Sequence, residues 1–396
     1  MSDHHGSRPV SPQPDPDPRP TPDPARPSPT GSGPVHAGAH VPFDDVVADG
    51  PHHVPRPSTD PTSTRRRADA ASTRRAGGAS TRRRAGTPWT RGLVLLTLQL
   101  LLAGALLFHD QLPGAHGLRS LLSTGLPWLG VVALLFLAGA LVRRSAIAAL
   151  AFLLPVAAWG WAFWPRLTDE PVVRDDLTVV QHNVSDENRD FAETVQVLLA
   201  AEPDVVVLEE VTPLLAAQYT WEFGDALPYR ERRGTVGVWS AHPLRDAAAV
   251  DLRPDGVGED WSRGMRVTVF RAWDDPGVTV YAVHLPSTRL SPTGLDVTAR
   301  NQSIGLLAQA LAADESDAVV VAGDLNASLD DKALDPVTAL VSEPRHGFGL
   351  TFPARFPMVP IDHVLARGAA VTEVRTLDRT GSDHLPIVAF VDLPWS

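Results

Sequence analysis

The stretch Ala318-Val319-Val320-Val321-Ala322-Gly323-Asp324-Leu325-Asn326 runs through five apolar residues into a glycine and then delivers a carboxylate and an amide two residues apart. An uninterrupted apolar run of that length reads as a strand buried on both faces. Its polar end recurs elsewhere in the chain. Pro203-Asp204-Val205-Val206-Val207-Leu208-Glu209-Glu210-Val211 closes on two glutamates, Gln181-His182-Asn183-Val184 ends a strand over 177–184, and Tyr281-Ala282-Val283-His284-Leu285 ends on a histidine. Ile361-Asp362-His363-Val364 and Gly381-Ser382-Asp383-His384-Leu385-Pro386 complete the set. Asn183, Glu210, His284, Asp324, Asn326, Asp362, Asp383 and His384 thus all stand at the ends of apolar strands. Any one of them is explained by turn chemistry, because Asn and Asp favour such places. Together, if the strand ends converge, four carboxylates and two histidines form a hard-oxygen metal site with acid–base groups beside it.

Working outward, β-branched alternation predicts further strands over 236–240, 265–270, 278–285 and 385–391. Helical spacing predicts helices over 191–200 and 297–313. Strands outnumber helices and the two kinds recur along residues 171–396, so the expected class is α/β, with layers around packed sheets. This region carries a net charge of −16 out of −11 for the whole 396-residue chain. Nucleic-acid affinity rests mainly on Lys and Arg neutralising phosphates, so the balance argues against a duplex-binding surface. The chain has no cysteine, which excludes disulfides, thiolate nucleophiles and Cys-ligated zinc.

The preceding residues are of two other materials. Residues 1–91 hold 17 of the 37 prolines and few large apolar residues, so they are expected to be a disordered arm, of net charge +4. Within it Ser63-Thr64-Arg65-Arg66-Arg67, Ser72-Thr73-Arg74-Arg75 and Ser80-Thr81-Arg82-Arg83-Arg84 repeat a basic unit. Such a block either touches anionic headgroups or only sets membrane topology; a twin-arginine export signal fits less well, because more than one apolar span follows. Residues 92–167 contain apolar runs at about 92–108, 121–142 and 146–164. A hydrocarbon core needs about 20 apolar residues per helix, so three transmembrane helices are expected, with a signal anchor followed by a buried hairpin as the competing account. The positive-inside rule puts the arginine arm and Arg143-Arg144 in the cytoplasm. The loop 109–120, Trp128, Trp159, Trp161, Trp164 and everything after them then fall outside: a multi-pass cell-membrane protein with an extracytoplasmic domain.

The six quoted stretches, in this order and over essentially all of 177–396, resemble the endonuclease/exonuclease/phosphatase superfamily with its DNase I-like fold. The resemblance implies a four-layer α/β sandwich and Mg²⁺-dependent (alternatively Mn²⁺-dependent) hydrolysis of a phosphate ester or anhydride. By the family's pattern, Glu210, Asn183 and Asp383 hold the metal or its waters, Asp324 activates or orients the attacking water, and Asn326, extended from it, donates to a phosphoryl oxygen. His384 contacts the phosphoryl group with Asp362 holding its ring, and His284 is the second histidine, for phosphate binding or leaving-group protonation. Relatives often carry Gln where this chain has Glu209, an extra carboxylate that either strengthens metal binding or points into solvent. Arg300 and Gln302 match polar family positions, with a structural salt bridge the expected role, while His182 and His363 fall on the opposite face by alternation. Residues 351–360 have the character of a specificity loop. With three spans and an outward domain, the chain is similar to the membrane-bound bacterial members associated with teicoplanin resistance. That likeness implies a phosphorylated membrane lipid of the undecaprenyl pyrophosphate type, or another envelope phosphate, as substrate and the bilayer as partner. An extracellular phosphodiesterase (phospholipase C-like or nuclease) and a non-catalytic lipid-binding domain are the alternatives.

Overall fold

A computed structural model describes residues 92–112, 117–168, 176–272, 276–292 and 294–395. The arm 1–91, with its expected disorder and arginine repeats, lies outside them. Among the described residues three helices are long and apolar enough to cross a membrane: Leu93–Gln111, Leu118–Val142 and Ala146–Leu167. They comprise α1 (Leu93–Phe108), α2 (Leu118–Gly125) with α3 (Leu129–Val142), and α4 (Ala146–Ala151) with α5 (Leu153–Leu167). The second begins three residues before the expected start. Its first turns carry Arg119, Ser120, Ser123 and Thr124, which interrupt the apolar pattern because that face meets protein. Inside the bundle Gln99 is buried and donates through Nε2 to the Ala148 carbonyl at 2.9 Å.

The remainder is a sandwich of two sheets with helices on both outer faces. One sheet has the order β12-β13-β1-β2-β4-β3, formed by β1 (Leu177–Asn183), β2 (Val205–Glu209), β3 (Tyr229–Arg233), β4 (Val236–Ser240), β12 (Ala370–Thr376) and β13 (Ile387–Asp392). The other runs β11-β10-β7-β6-β5, from β5 (Leu244–Ala249), β6 (Gly264–Val269), β7 (Val278–His284), β10 (Val319–Asp324) and β11 (Asp362–Arg367). A small hairpin pairs β8 (Arg289–Ser291) with β9 (Gly294–Asp296). α6 (Phe191–Leu199) and α7 (Pro213–Phe223) cover the first sheet; α8 (Thr298–Ala313) and α9 (Asp335–Thr338) cover the second. The expected α/β class and four-layer DNase I-like sandwich are what the chain forms.

Side-chain alternation explains where the chemistry goes. Val179, Val205, Val280, Val320 and Val364 all face into the layer between the sheets. Counting on by twos from each strand, Gln181, Asn183, Glu209, His284, Asp324 and Asp362 share that interior at one end of the sandwich. Register completes the convergence, because Asp324 stands opposite His284 on one side and Asp362 on the other, while Asn183 stands opposite Glu209.

The helical bundle docks on this end of the sandwich. Trp128 Nε1 donates to the Met358 carbonyl at 2.7 Å, and its ring stacks on Phe356 at 6.4 Å. Arg166 bridges Asp330 at 3.0 Å and Glu343 at 3.3 Å, and Phe163 packs on Phe348 at 5.7 Å. Gly323 permits β10 to approach β7 closely, since a Cβ there would sit 1.8 Å from the Val283 carbonyl oxygen. Gly323→Ala is therefore expected to cost about 3 kcal/mol, at the upper end of overpacking penalties, and a thermal or denaturant melt of the purified protein will show it as a lowered midpoint.

Candidate active site

At the centre of the site Asp362, on the first residue of β11, accepts three hydrogen bonds. Thr351 Oγ1 donates to Oδ2 at 2.5 Å, Gln181 Nε2 to Oδ1 at 2.9 Å, and His384 Nδ1 binds Oδ2 at 2.8 Å. Although burial opposes ionisation of Asp362, His384 and these donors hold its carboxyl below the usual range. Burial likewise lowers His384, but the adjacent Asp362 charge outweighs it and holds the imidazole up at about 9. His384 is thus an imidazolium at neutral pH. Its Nε2 points toward Asp324 Oδ2, 3.9 Å away, and its ring lies 5.0 Å from Phe352.

On the far side Asn183 Nδ2 donates to both Glu210 Oε1 and Asp324 Oδ2, each at 3.2 Å. Glu210 follows β2 in a left-handed conformation (φ 61°), which turns its side chain out of the strand alternation and toward the cavity. His284 Nε2 lies 3.9 Å from Glu210 and 3.8 Å from Asp324. Burial, aided by Arg263, pushes the His284 imidazole down to about 3, so it carries no charge near neutrality. Burial with the Asp362 charge nearby raises Asp324 to about 7. Two carboxylates therefore meet across one amide, with a neutral imidazole beside them and the Arg263 guanidinium, 3.3 Å from that imidazole, interacting with both carboxylates. Paired carboxylate oxygens are the hard donors that a divalent cation keeping several waters takes.

The structure brings together Asn183, Glu210, Asp324, Asn326, Asp383 and His384 around one cavity of about 810 Å³. It revises several details. Asp383 lines the cavity but is exposed, and Asp324, rather than Asp383, is the carboxylate that shares the Asn183 amide with Glu210. Asp324, Asp362 and His384 place ligand atoms within 4.8 Å of one another. Asp362 is committed to Thr351, Gln181 and His384, which leaves Asp324 and Glu210 as the carboxylates that could hold a cation. Asn326 is not extended from Asp324: its φ is 50°, its backbone N–H donates to Asp324 Oδ1 at 2.9 Å, and its Nδ2 spends one hydrogen on the Leu285 carbonyl. Glu209 does not point into solvent. It is fully buried, accepts from Gln181 Nε2 at 2.8 Å, and burial followed by the Asp362 charge raises its carboxyl well above the usual range. His182 and His363 face the other way, onto Thr380 Oγ1 and the Ala327 carbonyl. Arg300 is buried against Asp331 at 2.8 Å, and Gln302 binds Asp255 at 2.9 Å.

Gln181 and Thr351 carry the Asp362 carboxylate yet were not singled out by the sequence. Gln181 could have been found from its place two residues before Asn183 on the same strand face. Thr351 sits in a loop 11 residues before Asp362, where no periodicity marks it. Ser382 was also missed: its hydroxyl donates to the Asn183 carbonyl at 2.6 Å and accepts from the His384 N–H at 3.0 Å, pinning the two walls together.

A buried His–Asp pair facing two carboxylates and two amides across one cavity is the arrangement of a hydrolase site. The endonuclease/exonuclease/phosphatase family model matches residues 180–384, just over half of the chain, and the chain belongs to that family of phosphoester hydrolases. No curated protein matches it. Similar solved structures include an endonuclease/exonuclease/phosphatase from Bacteroides vulgatus, at 16% identity and TM-score 0.45, covering 56% of this chain and 100% of that one. Another is sphingomyelinase C from Streptomyces griseocarneus, at 19% identity and TM-score 0.42, covering 54% and 98%. A third is a beta toxin from Staphylococcus aureus, at 16% and 0.44, covering 54% and 99%.

Replacing the Asp362 carboxylate removes what holds the His384 proton. In metal-free Asp362→Asn protein, His384, near 9 in the unaltered chain, is expected to titrate at lower pH, as read by NMR of ¹⁵N-histidine-labelled protein. The same change is expected to reduce kcat by roughly 10³-fold, the order seen when an orienting carboxylate is lost.

Proposed function

We propose that this chain is a membrane-anchored, divalent-metal-dependent phosphohydrolase that acts at the outer face of the membrane on a phosphate- or pyrophosphate-bearing lipid of the undecaprenyl type. The supporting observation is the position of the dyad His384–Asp362 and the Asp324–Glu210–Asn183 wall in a sandwich to which the apolar helices are bonded through Trp128 and Arg166. Arg143 and Arg144 lie between the second and third spans, at the ends remote from those contacts. By the positive-inside rule they stay cytoplasmic, which puts the sandwich outside.

A bound Mg²⁺ or Mn²⁺, held by Glu210 and Asp324 with Asn183 beside them, would supply charge neutralisation at the phosphoryl group. The remaining roles belong to the chain. His384, charged and oriented by Asp362, donates through Nε2–H to a phosphoryl oxygen. Asp324 orients the attacking water by accepting its hydrogen bond. Neutral His284, buried behind Glu210 and Asp324 and in contact with Arg263, carries no proton to the leaving group. The second hydrogen on Asn326 Nδ2 points donor chemistry at the same cavity.

The test is phosphate release by the full chain in detergent or vesicles with Mg²⁺. Release from a long-chain polyprenyl diphosphate is expected, abolished by chelator and reduced by roughly 10³-fold or more in Asp324→Ala, a loss typical of an essential acid–base group. Release of an intact phosphorylated headgroup from phosphodiester lipids, with none from the diphosphate, would instead make it a phosphodiesterase. Nicking of plasmid DNA would make it a nuclease.

A further inference from the structure

The cavity that holds Asp324 and His384 is lined on its opposite side by Ser120, Leu121 and Thr124 of the second span. A hydrophobic helix thus supplies one wall of a polar site. The contact is fixed: Arg300, buried to 2%, donates through Nη2 to Ser120 Oγ at 3.0 Å and to Asp331 at 2.8 Å, and through Nη1 to the Asn326 carbonyl at 3.0 Å. One guanidinium therefore ties the helix to the loop that follows the strand end carrying Asp324.

The length of that span sets its height. Leu118–Val142 has 25 residues, about 37 Å at 1.5 Å per residue, against a hydrocarbon core of about 30 Å. With the Arg143-Arg144 end at one interface, counting back about 20 residues places the other near Ser123. Ser120 and Leu121 then lie among the headgroups. Uncovered apolar side chains surround this end: Leu118 is 59% exposed, Leu121 58%, Phe356 64% and Leu290 88%. Leu290 pairs across the β8–β9 hairpin with Leu295, itself on the cavity wall beside Gly117, and Phe356 rests on Trp128. A cluster of exposed apolar groups at an interface marks a surface that meets lipid.

We infer that the second span is a wall of the active site: a phosphorylated lipid enters from the bilayer, its headgroup lying over Asp324 and His384 and its hydrocarbon chain leaving past Leu121 along α2. This rests on the lipid phosphohydrolase reading and extends it, making Leu121 and Thr124 determinants of chain specificity. Ser120 and Arg300 are positioning residues that hold the wall.

The absence of cysteine from the sequence makes the path directly testable. Leu121→Cys places a single thiol at the mouth of the cavity in the full chain, reconstituted in phosphatidylcholine vesicles and labelled with a water-soluble maleimide. A long-chain polyprenyl methylenediphosphonate, which resists hydrolysis, is expected to slow labelling about tenfold at ten times its dissociation constant, by mass action. Inorganic pyrophosphate is expected to leave the rate within about twofold, because it occupies only the headgroup position. Equal protection by both, or by neither, overturns the path. A second measurement needs no variant: kcat/KM of the unaltered chain should rise from farnesyl diphosphate to a long-chain polyprenyl diphosphate, and equal values would also overturn it. Protection by the long-chain analogue with no phosphate release from any substrate would support the path and sink the hydrolase reading. Phosphate release without protection would do the reverse.

Discussion

Asp362 is an ionised carboxylate placed where water cannot reach it, and the site depends on keeping it so. Desolvation alone would neutralise it, at a cost of several kcal/mol for an unpaired buried charge. Three donors prevent this, from β1, from the loop at Thr351 and from His384. The consequence propagates outward. An anionic Asp362 keeps a proton on His384, and it adds to the burial that raises the neighbouring Asp324 toward neutrality. The protonation of His384 traces to one anion held between two sheets, and that of Asp324 to burial beside the same anion.

The sandwich makes that arrangement available without strain in its strands. Parallel pairing of β1 with β2 and of β7 with β10 brings strand C-terminal ends to one edge, and antiparallel β11 returns its first residue to the same place. The residues that cannot follow strand geometry are the ones just past it. Glu210 and Asn326 take left-handed backbone conformations, where non-glycine residues are uncommon and tend to mark functional turns.

The apolar runs made the central strands and the site residues legible, because a strand buried on both faces leaves an uninterrupted signature and its end is conspicuous. The spans were legible for a similar reason. Edge elements were not: β3 reads Tyr-Arg-Glu-Arg-Arg and β5 is half exposed, so neither alternates cleanly. Within the site, what escaped was whatever depended on contacts distant in sequence. Thr351 and Ser382 are ordinary loop residues until the fold brings them to Asp362 and Asn183, and Ser120 looked like the end of an outer loop until Arg300 met it. Glu209 could be assigned neither to metal nor to solvent from sequence, since only the register of β1 on β2, which sets it opposite Asn183, brings its carboxyl within reach of the Gln181 amide.

The contacts of Trp128, Phe163 and Arg166 with the sandwich give the bundle and the catalytic layer several independent attachments rather than a single tether. A domain on one flexible linker would sweep a volume of solution and find substrates by bulk concentration. One clamped at several points keeps a constant height and tilt. For a lipid substrate the encounter then becomes two-dimensional. The quantity that sets occupancy is the mole fraction of that lipid in the surrounding leaflet, and dilution of the aqueous phase leaves it unchanged.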